Sequence, residues 1–551
     1  MKVYEGLAKA FVDEGTTAVF GMMGTANQHW INALSRLGVR IYDVRHEGTG
    51  LAMAEAMATM SGSPGICTTT SGPAVTQLAT TMVVASRSRT PLVVFCGDER
   101  WGDINHNHAF DQARFAAAIE CGFLRVTSAE TAYETVQRAF YVARTESRPM
   151  MVSAPLDVQL ALMDDLDEYV PSSALIAPKT NSPDPCDILE AADIIAGSKF
   201  PVLILGHGAV VSDAGDVALR VAQRIGGLVS TTMLAMNWPI SGRDYHVGMS
   251  GLYSTKTAME LFQDADCVIA VGASLNKYTT EHGYLYPNAR FVQINVQPQV
   301  AMGDGRLADC YVQGDGRLAL EMIDEILAER SIQRIGYRSP GVLERLAEAH
   351  QDPVVYELQD GTVDPRDACR MLDELLPQDI GLVISGSHAP SIALMLSQAP
   401  RPFIHVNKYF GGMSKGLAAA IGAVIATSTP TAVVEGDAGF MMHLSEFETA
   451  VRYGLPLFVA VLNDQALGSE LHDPAVVNGE LDPSLTLIST PNLGAVGIAL
   501  GGRGHLVQTL ADLRVAISDF VSNPGPMLVD IRISSNVVSV PYRRIQGIDD
   551  V

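Results

Sequence analysis

Short apolar runs rich in β-branched residues recur along the chain, and they constrain its fold more than any other feature. They read TAVFG (17–21), GICTTT (65–70), PLVVFCG (91–97), PMMVSAP (149–155), FPVLILG (200–206) and DCVIAVG (266–272). Further on come RFVQINV (290–296), IGLVISG (380–386), TAVVEG (431–436), PLFVAVLN (456–463) and PMLVDIRI (526–533). Most are apolar throughout rather than alternating with polar residues. Such strands are buried on both faces, the condition of a parallel sheet covered by helices. Helical patterns fill the intervals. Two segments read as linkers: 164–185, rich in acids, Pro and Ser, and a second within 338–365. They divide the chain into three units, 1–165, 185–335 and 355–551, which share one layout without a close internal repeat. The fold class expected is α/β, with three consecutive doubly wound domains and mostly parallel sheets.

With 551 residues the chain is too long for one core, in keeping with several domains. Its formal net charge of −23 argues against nucleic-acid partners, which need clustered Lys and Arg, and against an anionic membrane surface. Solubility alone accounts for such a charge. The seven cysteines show no CxxC and no His/Cys ligand spacing, so they read as reduced thiols of a cytoplasmic protein. The N-terminal MKVYEGLAKAFVDEGTTAVFG is an amphipathic helix leading into a strand, with acids where a signal peptide would be apolar. No apolar run reaches membrane-spanning length.

Two successive strands end on acids: VVEGDAG on Asp437 and LFVAVLND on Asp464. Ligands of open α/β sheets bind beyond the carboxyl ends of the strands, which is where these residues fall. Between them, Ser445 and Glu448 read as a capping box opening a helix that stops at Gly454, before Pro456 starts the next strand. Two hard oxygen ligands on adjacent strand ends, with loop carbonyls, fit Mg²⁺, which keeps phosphate in its shell. Small residues at Gly436, Ala438 and Gly439 leave room for backbone N–H groups to approach that phosphate. On spacing alone, caps and solvated turns are the alternative.

The stretch GDA…LND resembles the signature of thiamine-diphosphate (ThDP) enzymes, which begins Gly-Asp-Gly and ends Asn-Asn. The resemblance implies that Asp437, Asp464 and the carbonyl of Ala466 hold Mg²⁺, which clamps the diphosphate, with Leu467 and Gly468 following in the cofactor loop. Ala438 departs from the third glycine, as in acetolactate synthases, and Asp464 departs from the second Asn. The added charge should strengthen metal binding or make it more pH-dependent. Glu47, in RHEGTGLAMAEAMA, matches the glutamate that hydrogen-bonds the pyrimidine and lets the cofactor deprotonate its own thiazolium carbon. By itself Glu47 reads as a first-turn helix acid. TTTSGPAVTQ (68–77) resembles the Gly-Pro-Gly-x-x-Asn loop through Gly72 and Pro73, with Ala74 and Gln77 as departures. SGSHAPS (385–391) resembles a segment whose side chains meet the diphosphate, which nominates Ser387 and His388. KYFGGMSKGLAAAIGA (408–423) resembles the segment that supplies a carbonyl, here of Gly411, and a wedge between the cofactor rings, here Met413. Lys415 and Ala418 depart from it.

The resemblance covers nearly the whole chain. It implies a pyrimidine-binding, a central and a diphosphate-binding domain, and a homodimer or homotetramer with the active site at the subunit interface. Polar candidates near the reacting carbon are Thr25, Asn27, Gln112 and Glu470, with His106 and His108 read as surface-loop histidines. Gln112 resembles a glutamine facing the thiazolium, and Glu470 occupies the spacing of a proton-transfer glutamate. The run CVIAVGASLNKYTTEHG lacks the arginine of flavin-binding relatives, so FAD is not expected, and GHGAVVSDAG (206–215) reads as strand-to-helix packing. The expectation is an Mg²⁺- and ThDP-dependent lyase or ligase for a small carbonyl substrate (a 2-oxoacid or 2-hydroxy carbonyl compound), similar to acetolactate synthase. A 2-oxoacid decarboxylase, a 2-hydroxyacyl-CoA lyase, a flavin oxidase and an inactive regulatory relative are the rivals.

Overall fold

Each of those runs contains a strand, and all lie in three separate parallel sheets of six strands. The computed structural model describes residues 1–547 apart from 104, 165–167, 177–180, 237, 239–243, 350–351, 408 and 414. The first sheet holds β1 (Ala18–Gly21), β2 (Arg40–Asp43), β3 (Gly65–Thr69), β4 (Leu92–Asp98), β5 (Gly122–Arg125) and β6 (Pro149–Pro155). The second holds β7 (Pro201–Leu205), β8 (Leu228–Thr231), β9 (His246–Met249), β10 (Cys267–Val271), β11 (Arg290–Asn295) and β12 (Cys310–Gln313). The third holds β13 (Gly381–Ser385), β14 (Ile404–Asn407), β15 (Thr431–Gly436), β16 (Leu457–Asn463), β17 (Arg503–Val507) and β18 (Met527–Arg532).

The first sheet runs β2-β1-β3-β4-β6-β5 and the third β14-β13-β15-β16-β18-β17, the same order twice. The second runs β12-β11-β10-β7-β8-β9, a different winding. In the first and third sheets the order reverses between the first and third strands, and a crevice opens there beyond the carboxyl ends. In the second sheet, Gly206 and Gly208, after β7, pack on the backbone of Gly272, where a Cβ would meet main-chain atoms within 2.7 Å. The glycines of GHGAVVSDAG thus serve strand-to-helix packing.

The first and third units meet through equivalent helices, Glu47–Ser61 and Gly416–Thr427. Both are small-residue helices buried nearly all round, so each needs a partner on several sides. They approach so closely that a Cβ on Gly422 would lie 2.2 Å from the carbonyl oxygen of Met53. Carboxylates from the third unit close both N-termini. Glu446 accepts from the N–H groups of Arg45 and His46 and from the Thr49 hydroxyl. Glu435, buried at the end of β15, accepts from the N–H groups of Gly416 and Leu417. Helix N-termini favour such anions.

The capping box expected at Ser445 and Glu448 does not form. Ser445 is itself in helical conformation and its side chain caps nothing. Glu448 instead accepts from Arg45 Nε at 2.7 Å. The interface with the first unit draws the side chain away from its own helix end. No helix among the described residues is long and apolar enough to cross a membrane, and all seven cysteines are free.

Candidate active site

β15 and β16 are neighbours in register, Gly436 opposite Leu462, so the residues that leave them, Asp437 and Asp464, emerge side by side. Their carboxyls are within hydrogen-bonding reach of each other. Burial pushes both well above the usual carboxylate range, and the charge of Asp464 pushes Asp437 further. Asp464 Oδ1 accepts from the Ala466 N–H at 3.1 Å. Asp437 Oδ2 is buried with no hydrogen-bond partner. A buried and a half-buried carboxylate side by side, with an unused oxygen, repel each other unless a proton or a cation lies between them.

Ser387 and His388 leave β13, on the other side of the crevice. A Cβ on Gly436 would sit 3.1 Å from Ser387 Oγ. The bare Cα of Gly468 faces both walls, since a Cβ there would meet Asp464 Oδ2 at 2.8 Å and His388 Nδ1 at 3.1 Å. Any side chain at 468 would fill the space between the acid and the imidazole. His388 Nε2 accepts from the Ser539 N–H at 3.1 Å, which leaves the proton of the neutral ring on Nδ1. Burial, with His472 alongside, holds this imidazole well below its ordinary pKa and so keeps it neutral. Nδ1 is buried and without a partner. The crevice therefore holds an orphaned acceptor on Asp437 and an orphaned donor on His388, a set suited to a hard cation beside an anionic oxygen.

Ser387, His388, Gly436, Asp437, Asp464 and Gly468 come together in this crevice. Ala438 and Gly439 lie in the short helix Asp437–Met442, and Leu467 donates its N–H to the Thr486 carbonyl. Glu470 is exposed, two residues beyond Gly468 in the same short helix. Gly411 has a φ of +62°, and Met413 is partly exposed between it and the Gly416 helix. Glu47 opens its helix half-buried and, among the described residues, makes no hydrogen bond or ion pair to this crevice within its own chain. Its charge adds to burial in raising the Cys67 thiol. Gln112 is buried, donates to the Gly97 carbonyl at 2.9 Å, and keeps an unpartnered Oε1. Thr25 is exposed. Asn27 is a loop staple: its side chain donates to the Met22 carbonyl and Thr68 Oγ1 and accepts from the Gly24 N–H.

Sequence reasoning missed Glu435 and Glu446. Each carries the signal of an acid in an apolar setting, but only the partner backbone shows what it binds.

Three family models match the chain in order. They are described as the N-terminal TPP binding domain of thiamine pyrophosphate enzymes, over residues 1–118, their central domain, over 188–323, and their C-terminal TPP binding domain, over 385–531. The chain belongs to the thiamine pyrophosphate enzymes. Thiamine pyrophosphate is ThDP under its other name. Relatives span nearly all of this family member. A probable acetolactate synthase large subunit of Methanocaldococcus jannaschii is 26% identical, over 97% of this chain and 92% of its own. A sulfoacetaldehyde acetyltransferase of Castellaniella defragrans is 25% identical, over 98% and 94%. A probable 2-ketoarginine decarboxylase of Pseudomonas aeruginosa is 26% identical, over 96% and 93%. This thiamine pyrophosphate enzyme thus stands in an acetolactate synthase-like group whose named activities differ.

Proposed function

We propose that the protein is an Mg²⁺- and ThDP-dependent carboligase that joins or cleaves the bond beside a carbonyl in 2-oxoacids or 2-hydroxy carbonyl compounds. The observation that carries this reading is the pairing of orphaned groups in the third-sheet crevice, Asp437 Oδ2 and His388 Nδ1. Asp437, Asp464 and the Ala466 carbonyl would hold the Mg²⁺. His388 Nδ1–H and Ser387 would bind diphosphate oxygens, and the missing side chain at Gly468 would leave them room. Gly72 and Pro73, Gly411 and Met413 would position the rings, with Glu47 holding the pyrimidine. When bound, ThDP supplies a carbanion equivalent that adds to a carbonyl and stabilises cleavage of the adjacent bond.

Among the described residues Glu47 makes no hydrogen bond or ion pair to its own chain's acid pair, which supports an active site completed by a second subunit in a homodimer or a pair of dimers. Gln112, through its unpartnered Oε1, and Glu470, through its position beyond the metal loop, are the candidates for proton transfer at the reacting carbon. The domain limits 1–165, 185–335 and 355–551 would separate the pyrimidine, central and diphosphate units.

Incubation with ThDP, Mg²⁺ and pyruvate, with products read by NMR against a ThDP-free control, tests this reading. Acetolactate supports it. Acetaldehyde alone favours the second reading, a 2-oxoacid decarboxylase, motivated by the 2-ketoarginine decarboxylase relative. Untouched pyruvate sinks it for this donor and turns the test to longer 2-oxoacids, acyloins and hydroxyacyl-CoAs.

A further inference from the structure

We propose that Glu99, His106 and His108 form a second divalent-metal site, suited to a borderline ion of the Zn²⁺ type and separate from the Asp437–Asp464 position. Glu99 leaves β4 directly, and the two histidines come from the loop that follows, so residues far from any ligand spacing in sequence converge in space. Glu99 Oε2 lies 3.2 Å from His106 Nδ1, and Oε1 lies 3.8 Å from His108 Nδ1. One ligand atom from each of the three lies within 4.8 Å of the others. The imidazole rings stand 5.4 Å apart and nearly perpendicular, at 85°. A Zn²⁺ ion with bonds of about 2.0–2.2 Å would draw the two imidazoles and the carboxylate closer together to touch all three. Its remaining positions would face solvent, since both imidazoles are 39% exposed, and would take water or a small carboxylate.

The surroundings are built for the cluster. The Ser71 hydroxyl donates to Glu99 Oε1 and lies 3.4 Å from His108 Nδ1, the kind of outer contact that orients a metal-binding carboxylate. Gly72 has a φ of +64°, and a Cβ there would lie 2.7 Å from His108 Cβ, so this loop takes its shape around the imidazole. The His108 N–H donates to His106 Nδ1 at 3.3 Å, a long bond that a metal would replace. Two imidazoles and one carboxylate favour Zn²⁺, Co²⁺ or Ni²⁺ over Mg²⁺, which selects oxygen ligands. The sequence reading treated these histidines as surface residues without ligand spacing. Surface residues they are, and the third member of the cluster, Glu99, arrives from a strand end.

The test uses the full chain, stripped with chelator and then saturated with ThDP and Mg²⁺, so that the oxygen site is filled. Co²⁺ is titrated in and followed by its visible absorption, with Zn²⁺ as competitor. One Co²⁺ per chain should bind with the bands of an imidazole-ligated ion, and Zn²⁺ should displace it. Removing an outer contact alone typically costs 10–100-fold in affinity, so losing two ligands in an H106A/H108A variant should cost more than about 100-fold. Circular dichroism of that variant should match wild type. If it misfolds, His106→Gln, at an exposed loop position, replaces it with the same readings. No Co²⁺ binding by wild type, or equal binding by a folded variant, overturns the proposal.

Discussion

The first and third sheets have one strand order and two chemistries. In the third, the ends of β15 and β16 carry Asp437, buried, and Asp464, half-buried, side by side. In the first, the equivalent strands, β3 and β4, lead to Ser71 and Glu99, with His106 and His108 beside them and half in solvent. The winding fixes where a ligand can sit, beyond two neighbouring strand ends. Loop residues and burial decide which ligand that is. Buried oxygens alone suit a hard cation, whereas exposed imidazoles suit a softer one.

The largest effect should come from the buried end of the comparison. Asp437→Ala removes one of two carboxylates and should weaken Mg²⁺-dependent ThDP binding by more than about 100-fold. A fluorescence titration with ThDP checks this, and retention of affinity would break the assignment of the crevice. Glu47→Gln separates the other half of the reaction. Turnover should fall by about 10²–10⁴-fold while ThDP affinity stays within tenfold of wild type. Steady-state rates and the same titration decide between a proton-handling role and a binding one.

Glu446→Gln sharpens the contrast between the third unit's structural acids and the first unit's Glu99. It weakens charge-assisted bonds to the Arg45 and His46 N–H groups and should cost about 1.5–3 kcal/mol, seen as a lower denaturation midpoint. Glu99→Gln, whose largely buried carboxylate accepts from the Ser71 hydroxyl rather than from helix N–H groups, should shift that midpoint less. Equal losses would mean that both acids serve the fold alone.

The smallest effect concerns pH. His443 packs against His46 across the two units, with ring centroids 5.2 Å apart. Burial first, and then the nearby His46 and Lys415, hold its pKa down to about 4 from 6.5. Between those values the unfolded chain binds more protons than the folded one, so this contribution to stability is full above about 6.5 and is lost as pH falls toward 4. The thermal midpoint should drop from pH 7 to pH 5, and His443→Asn should flatten that drop. An unchanged slope would place the acid sensitivity elsewhere.

The inner strands were legible because two-sided burial leaves an unbroken apolar run. β3, β7, β10, β13 and β16 are buried along their whole length. Edge strands were not. β5 is only half-buried throughout, and β17 is buried at its last residue alone, so neither stands out from loop sequence. The carboxylates that cap the interface helices were equally hidden, since Glu446 meets residues some four hundred positions away.

Sequence alone determined the parallel α/β class, the strand ends that carry Asp437 and Asp464, and the glycine left bare at 468. Those features are written in local periodicity and residue size. Only the tertiary structure decided that His388 presents a free Nδ1–H to the crevice, that Glu435 and Glu446 close the two interface helices, and that Glu99 meets His106 and His108. Each of these depends on a backbone group or a loop brought in from another element, and no local pattern encodes such a meeting.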